Sequence, residues 1–139
     1  MFLVRLVYTS SITEGFSANE IESILESARK NNAEKSVTGL LCFDRNLFLQ
    51  CLEGSRTAVN KIYHNILNDP RHHSIIMLDY KEILEREFSE WTMGYIPQSS
   101  LTHPINMRFS GTPEFSPYEM SGESAHQLML ALKCTVPSI

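Results

Sequence analysis

From Leu3 to Tyr8 the chain is apolar except at Arg5, and the alternation of side chains along an opening strand places Val4, Leu6 and Tyr8 on one face. After a loop, Ser17-Ala18-Asn19-Glu20 has the spacing of a capping box. It precedes Ile21, Ile24, Leu25 and Ala28, whose i, i+3, i+4, i+7 recurrence is the apolar stripe of a first helix. Asn31-Asn32 is expected to end that helix, because asparagine tolerates the left-handed geometry of a C-terminal turn. Val37 to Phe43 reads as a second strand, and Asp44-Arg45-Asn46 as a tight turn into a third that carries Phe48 to Leu52. A second helix is predicted from Arg56 to Asn68, with Val59, Ile62, Tyr63, Ile66 and Leu67 facing inward and Asp69-Pro70 as its stop. Ser74 to Lys81 reads as a fourth strand and Trp91 to Ile96 as a fifth.

The order β-α-β-β-α-β is the split βαβ pattern. The expected fold class is therefore α+β, ferredoxin-like with an added strand and two helices on one sheet face. In that topology the first and third strands lie side by side at the sheet centre, so Tyr8 and Gln50 become neighbours under the helices. From Pro97 onward Ser, Thr, Gly and Pro are frequent, until Ala125, Leu128, Met129 and Leu132 mark a last helix from Ser121 to Cys134. Residues 98–139 are too few for a core of their own and are expected to pack as a helical cap on the domain formed by residues 1–97.

One residue breaks the pattern. In Phe48-Leu49-Gln50-Cys51-Leu52, a run with the length of a buried strand, Gln50 shares a face with Phe48 and Leu52. Its amide has two donor hydrogens and an acceptor, and leaving such a group unpaired in a core costs roughly 1–3 kcal/mol. Gln50 must therefore satisfy neighbours in the core or face a ligand with hydrogen-bonding edges.

Composition narrows the class. The chain has 139 residues, 42% of them hydrophobic, and 12 basic against 16 acidic side chains give a net charge of −4. One domain is expected. The charge disfavours nucleic acid as a main partner, since phosphate neutralisation supplies most of such affinity. No apolar stretch approaches the roughly 20 residues of a membrane span, and the first residues lack the features of a secretory signal. Cys42, Cys51 and Cys134 form no CxxC pair, which suits a reduced cytoplasmic protein. His64, His72 and His73 lack the companion ligands of a metal site, so none is expected.

The polar and aromatic residues that stand out are Tyr8, Asn31-Asn32, Gln50, Arg71 and Trp91-Thr92-Met93. They lie in Leu6-Val7-Tyr8-Thr9-Ser10, Val37-Thr38-Gly39-Leu40-Leu41, Phe48-Leu49-Gln50-Cys51-Leu52-Glu53-Gly54 and Asp69-Pro70-Arg71-His72-His73, or close to them. Taken singly, each has a plain structural reading: a strand aromatic, a helix cap, a core amide, core packing. In this set, order and spacing, over residues 3–96, the sequence resembles the BLUF family, blue-light photoreceptors that bind a flavin. Phe115-Ser116-Pro117 and the helix after Met120 resemble, more loosely, the tail of the short single-domain members of the PixD type.

The resemblance implies a noncovalently bound flavin, FAD with FMN as the alternative. Ile24, Ala28, Phe48 and Ile66 would wall the ring. Asn32 would pair with N3–H and the C4 carbonyl, Asn31 would meet the same edge, and Arg71 would donate to the C2 carbonyl. Tyr8 and Gln50 would be the photoactive pair: the tyrosine gives an electron, its proton passes through the glutamine amide, and Gln50 is left rotated or tautomerised. Trp91 and Met93, able to point to one face, would carry the change outward, with either of them as the one inside near Gln50. The family reading also implies a photocycle without enzymatic turnover, a homo-oligomer, and output to a separate regulatory protein at the tail and the outer sheet face. Two other readings compete. An acylphosphatase-like enzyme would need an arginine and an anion-binding loop after the first strand, where Thr9-Ser10-Ser11 stands. A flavin-free interaction module would leave the pairing of Tyr8 with Gln50 unexplained.

Overall fold

The computed structural model describes residues 2–13 and 18–135. Five strands, β1 (Leu3–Ile12), β2 (Thr38–Asp44), β3 (Leu47–Ser55), β4 (His72–Ile83) and β5 (Gly94–Pro97), form one sheet in the order β4-β1-β3-β2-β5. The first four pair antiparallel, and β5 joins the edge parallel to β2. This is the expected ferredoxin-like α+β topology, with the added strand placed beside β2.

Two helices, α1 (Ala18–Lys35) and α2 (Arg56–Leu67), cover one face of the sheet. Two more, α3 (His103–Ser110) and α4 (Gly122–Thr135), belong to the layer on the other. Covering both faces explains why nearly every residue of β1 and β3 is buried, polar ones such as Thr9, Ser10, Gln50 and Glu53 included, since neither strand has a solvent face. Val4, Leu6, Tyr8, Phe48 and Leu52 pack toward α1 and α2, with Ile21, Leu25, Val59, Ile62 and Tyr63 above them. Val7, Leu49 and Cys51 pack the opposite way, against Ala125, Leu128, Met129 and Leu132 of α4. A two-residue turn, Arg45-Asn46, closes the β2–β3 hairpin, and Arg45 adopts the left-handed conformation (φ 59°) that such turns require.

Several boundaries differ from those the sequence suggests. Helix α1 continues through Asn31-Asn32 to Lys35, and Ser36 takes the left-handed conformation (φ 55°) that ends it. The asparagines thus sit within the last turns and present their amides sideways. Ser17, the expected capping residue, lies outside the described residues. Leu67 is exposed, not inward. Strand β4 is longer than expected at both ends, and β5 starts only at Gly94, so Trp91-Thr92-Met93 belongs to the loop before it. Helix α3 was masked in the sequence by the prolines around it. It is a short helix with a proline in its first turn, and its buried Asn106 donates to Gln98 Oε1 (2.7 Å) and the Pro113 carbonyl (3.1 Å).

The outer sheet face, expected to be open to a partner, lies under the C-terminal layer. Helix α4 is capped by the Ser121 hydroxyl, which accepts from Ser124 N–H (3.1 Å). Its first residue, Gly122, approaches β4 so closely that a Cβ there would stand 2.2 Å from the Leu78 carbonyl oxygen. Truncating Leu128 to alanine at the centre of this layer is expected to cost about 2–5 kcal/mol. Urea unfolding should then show one transition with a lowered midpoint and an unchanged slope; a second transition would mean that the tail unfolds apart from the sheet.

Candidate functional site

Residues that hydrophobic periodicity alone assigns to the core line a cavity of about 330 Å³ between α1, α2 and the sheet. Ile24 and Ala28 form its α1 wall, Ile62 and Ile66 its α2 wall, and Leu41 and Phe48 part of its floor. Tyr8, Asn31, Asn32, Gln50 and Arg71 bring polar atoms to the same space. Apolar walls with a few convergent polar groups are what a planar heteroaromatic ligand requires.

The β1–β3 register places Tyr8 directly opposite Gln50. Both are buried, and the Tyr8 hydroxyl donates a short hydrogen bond to Gln50 Oε1. The amide then points Nε2 toward Met93 Sδ at 3.5 Å. Burial raises the Tyr8 hydroxyl pKa well above the ordinary tyrosine value, and the nearby Tyr63 phenol and Asp69 carboxylate push it the same way. Tyr8 is therefore held as the protonated donor, with its ring 5.7 Å from that of Tyr63.

The remaining polar groups are partly engaged. Asn32, buried on α1, donates through Nδ2 to the Thr92 carbonyl (2.7 Å), leaving its second amide hydrogen and its oxygen for other partners. Arg71 is held by Asp69, whose carboxylate accepts from Nε (3.0 Å) and Nη2 (2.7 Å). Burial alone would raise the Asp69 carboxyl, but hydrogen bonds from Arg71 outweigh it and leave Asp69 below its ordinary value. His72 accepts from or donates to the Ser10 hydroxyl through Nδ1 (2.9 Å), and its ring meets the edge of Phe48. Burial lowers its pKa and favours the neutral ring.

The structure thus brings together Tyr8, Ile24, Ala28, Asn31, Asn32, Phe48, Gln50, Ile66 and Arg71. Met93 joins them through Gln50. Trp91 does not: its ring stacks on Phe88 (6.0 Å, 25°) against the other core, so Trp91 and Met93 point to opposite sides of the sheet. The expectation of a shared face assumed a strand, and the segment is a loop. Ser27 and Lys35 of α1 and Asn65 and Asp69 beyond Ile62 of α2 also line the cavity. Their signal was present, for they continue the i, i+3, i+4, i+7 stripes that mark Ile24 and Ile62. His72 carried no such signal, since its place depends on pairing opposite Ile12 in the sheet and on its side-chain hydrogen bond with Ser10.

The family model for BLUF, described as sensors of blue-light using FAD, matches residues 3–94. The chain belongs to the BLUF family. The BLUF segment is 36% identical over 92 residues to the photoactivated adenylate cyclase subunit beta of Euglena longa, covering 66% of this chain and 11% of that protein. It is 38% identical over 76 residues to the blue light- and temperature-regulated antirepressor BluF of Escherichia coli (strain K12), covering 55% of this chain and 19% of that one. The chain therefore spans only about a tenth to a fifth of those relatives. The photo-activated state of BlsA superposes with a TM-score of 0.86 at 27% identity, over 94% of both chains. BLUF domains bind flavin, and the walls and polar groups described above fit its flat apolar body and single hydrogen-bonding edge. The hydroxyls of Thr9, Ser10 and Ser11, where an acylphosphatase-like enzyme would keep its anion loop, are engaged with the Phe48 carbonyl, His72 and Tyr118.

The raised pKa of Tyr8 has a consequence for stability. The folded protein holds that proton more tightly than the unfolded chain, so the associated stability is complete below the ordinary tyrosine pKa of about 10 and is lost as pH rises past it. In an alkaline titration read by tyrosinate absorbance, Tyr8→Phe is expected to leave the native-state signal around pH 10 unchanged. A signal reduced by one tyrosine would show that Tyr8 ionises in the folded protein.

Proposed function

We propose that this protein is a blue-light sensor that holds FAD noncovalently between α1 and α2 and reports illumination through Tyr8 and Gln50. The observation that carries this reading is the hydrogen bond from the buried Tyr8 hydroxyl to Gln50 Oε1 at the wall of an apolar cavity. When bound, the flavin supplies an excited state that accepts an electron. Ile24, Ala28, Phe48 and Ile66 would clasp its ring. Asn31 and Asn32 would meet its polar edge, and Arg71, fixed by Asp69, would stabilise negative charge near it.

Within the protein the response is a proton and an amide. A tyrosine that loses an electron becomes a strong acid, and the Tyr8 proton has a path along its existing hydrogen bond, to Gln50 Oε1. When the electron returns to Tyr8, an amide that has accepted a proton can give one back from either end, so Gln50 emerges with donor and acceptor exchanged, by rotation or by tautomerisation. The contact between Nε2 and Met93 Sδ cannot survive that exchange unchanged. Met93 and, beyond it, Trp91 are thereby the first residues outside the pair to register light. No substrate is turned over in this cycle.

We assign residues 1–97 to the flavin-binding unit and residues 98–139 to a cap that carries the signal onward. Output would pass to a separate regulatory protein in the cytoplasm, from a homo-oligomer, through the outward surface of the cap. With FAD bound, Tyr8→Phe and Gln50→Ala are each expected to retain the flavin and lose the light-induced absorption shift; an unaltered photocycle in either variant would refute the assignment. Arg71→Ala is expected to weaken flavin binding about tenfold or more, the usual consequence of losing a charge-assisted hydrogen bond. Equilibrium titration of the apoprotein with FAD would measure it.

A further inference from the structure

Two residues apart, Trp91 and Met93 lie in the cores on opposite sides of the sheet, and the loop that carries them is fastened at three successive carbonyls. The Trp91 carbonyl accepts from Gly39 N–H of β2 (3.0 Å), the Thr92 carbonyl from Asn32 Nδ2 (2.7 Å), and the Met93 carbonyl from Arg29 Nε (3.0 Å). Pinning three consecutive carbonyls leaves the loop little freedom in register. In that register Met93 is buried with its sulfur on Gln50, while Trp91 lies over Phe88, its ring 2.7 Å from where a Cβ of Gly94 would stand.

The three ties are not equivalent. Gly39 donates from the backbone of a paired strand and does not distinguish one side chain from another. Asn32 lines the cavity and must also serve whatever occupies it. Arg29, one turn earlier on α1, lies outside the cavity lining and grips the carbonyl of Met93 itself. Its hold on Met93 therefore does not depend on the occupant of the cavity.

We propose that Arg29 is a positioning residue for the light response, whose guanidinium fixes Met93 rather than Trp91 as the neighbour of Gln50. This rests on the photochemical assignment above only where dark recovery is concerned. The placement of the loop can be tested separately, because Trp91 is the sole tryptophan of the chain. Arg29→Ala frees the Met93 carbonyl, whereas Arg29→Lys keeps a cation able to donate to it.

The experiment measures Trp91 emission and its quenching by acrylamide in wild type, Arg29→Ala and Arg29→Lys, each as apoprotein and loaded with FAD. In Arg29→Ala, Trp91 is expected to leave Phe88, with altered emission and acrylamide quenching already in the apoprotein and stronger quenching by flavin once loaded. Dark recovery should change by about tenfold, the scale of one charge-assisted hydrogen bond. Arg29→Lys should return toward wild type in both readouts. Trp91 emission and quenching identical to wild type in a folded Arg29→Ala protein would overturn the proposal, and so would an Arg29→Lys variant as displaced as Arg29→Ala. If the alanine variant fails to fold, a displaced Trp91 in Arg29→Lys overturns the proposal and a wild-type-like one supports it. Absence of a photocycle in wild type would refute the photochemical assignment and leave the fluorescence comparison valid.

Discussion

A glutamine amide buried between two apolar layers constrains everything around it. Gln50 has to pair, and the antiparallel register of β1 and β3 offers it the hydroxyl of Tyr8. A one-residue slip in that register would turn Tyr8 to the opposite face of the sheet and leave the amide without its donor. The pair in turn defines the site: Leu41 stands beside Gln50 on β2, and α1 and α2 lie over both central strands, leaving the cavity between them. The hydrogen bond is thus a packing requirement of the dark structure as well as the path by which a proton can move.

The second constraint is that the sheet is covered twice. Because β3 is buried on both sides, it carries Gln50 toward the cavity and Glu53 toward the far layer. The Glu53 carboxylate accepts from Glu87 N–H and Phe88 N–H (2.8 Å for the shorter). Burial raises the Glu53 pKa, and these two backbone bonds pull it back. The β4–β5 loop that they anchor carries Phe88 and Trp91 in the far core and ends at Met93 in the near one. Lys133 of α4 donates to the Glu87 carbonyl of the same loop. The cavity and the C-terminal layer are therefore connected through a short segment fastened at both ends.

Much of this was legible in the chain. Alternation and helical periodicity identified the strands and helices of the core, and their order identified the sheet topology, because a split βαβ arrangement leaves few alternatives. Gln50 was conspicuous because a polar residue in an apolar run must have a reason. The failures share a cause. Asn31-Asn32 read as a helix end because side-chain preference favours that, yet tertiary contacts with the Thr92 loop carry the helix a turn further. Trp91 and Met93 read as strand residues on one face because the pattern alone cannot show that three pinned carbonyls hold them in a loop. His72 was invisible as a cavity residue because its partners, Ser10 and Phe48, come from distant parts of the sequence. Local preference was a good guide wherever packing agreed with it, and failed where a long-range hydrogen bond decided.

The central claim is that Tyr8 and Gln50 form a light-responsive pair beside a flavin. The most direct measurement is the absorption spectrum of the purified wild-type protein loaded with FAD, taken in darkness, under blue light and again after return to darkness. The account predicts a flavin spectrum that moves slightly to the red without losing intensity and reverts in the dark, the mark of a rearranged hydrogen bond on an otherwise unchanged chromophore. A flavin band that bleaches under light, or that does not move at all, would contradict it.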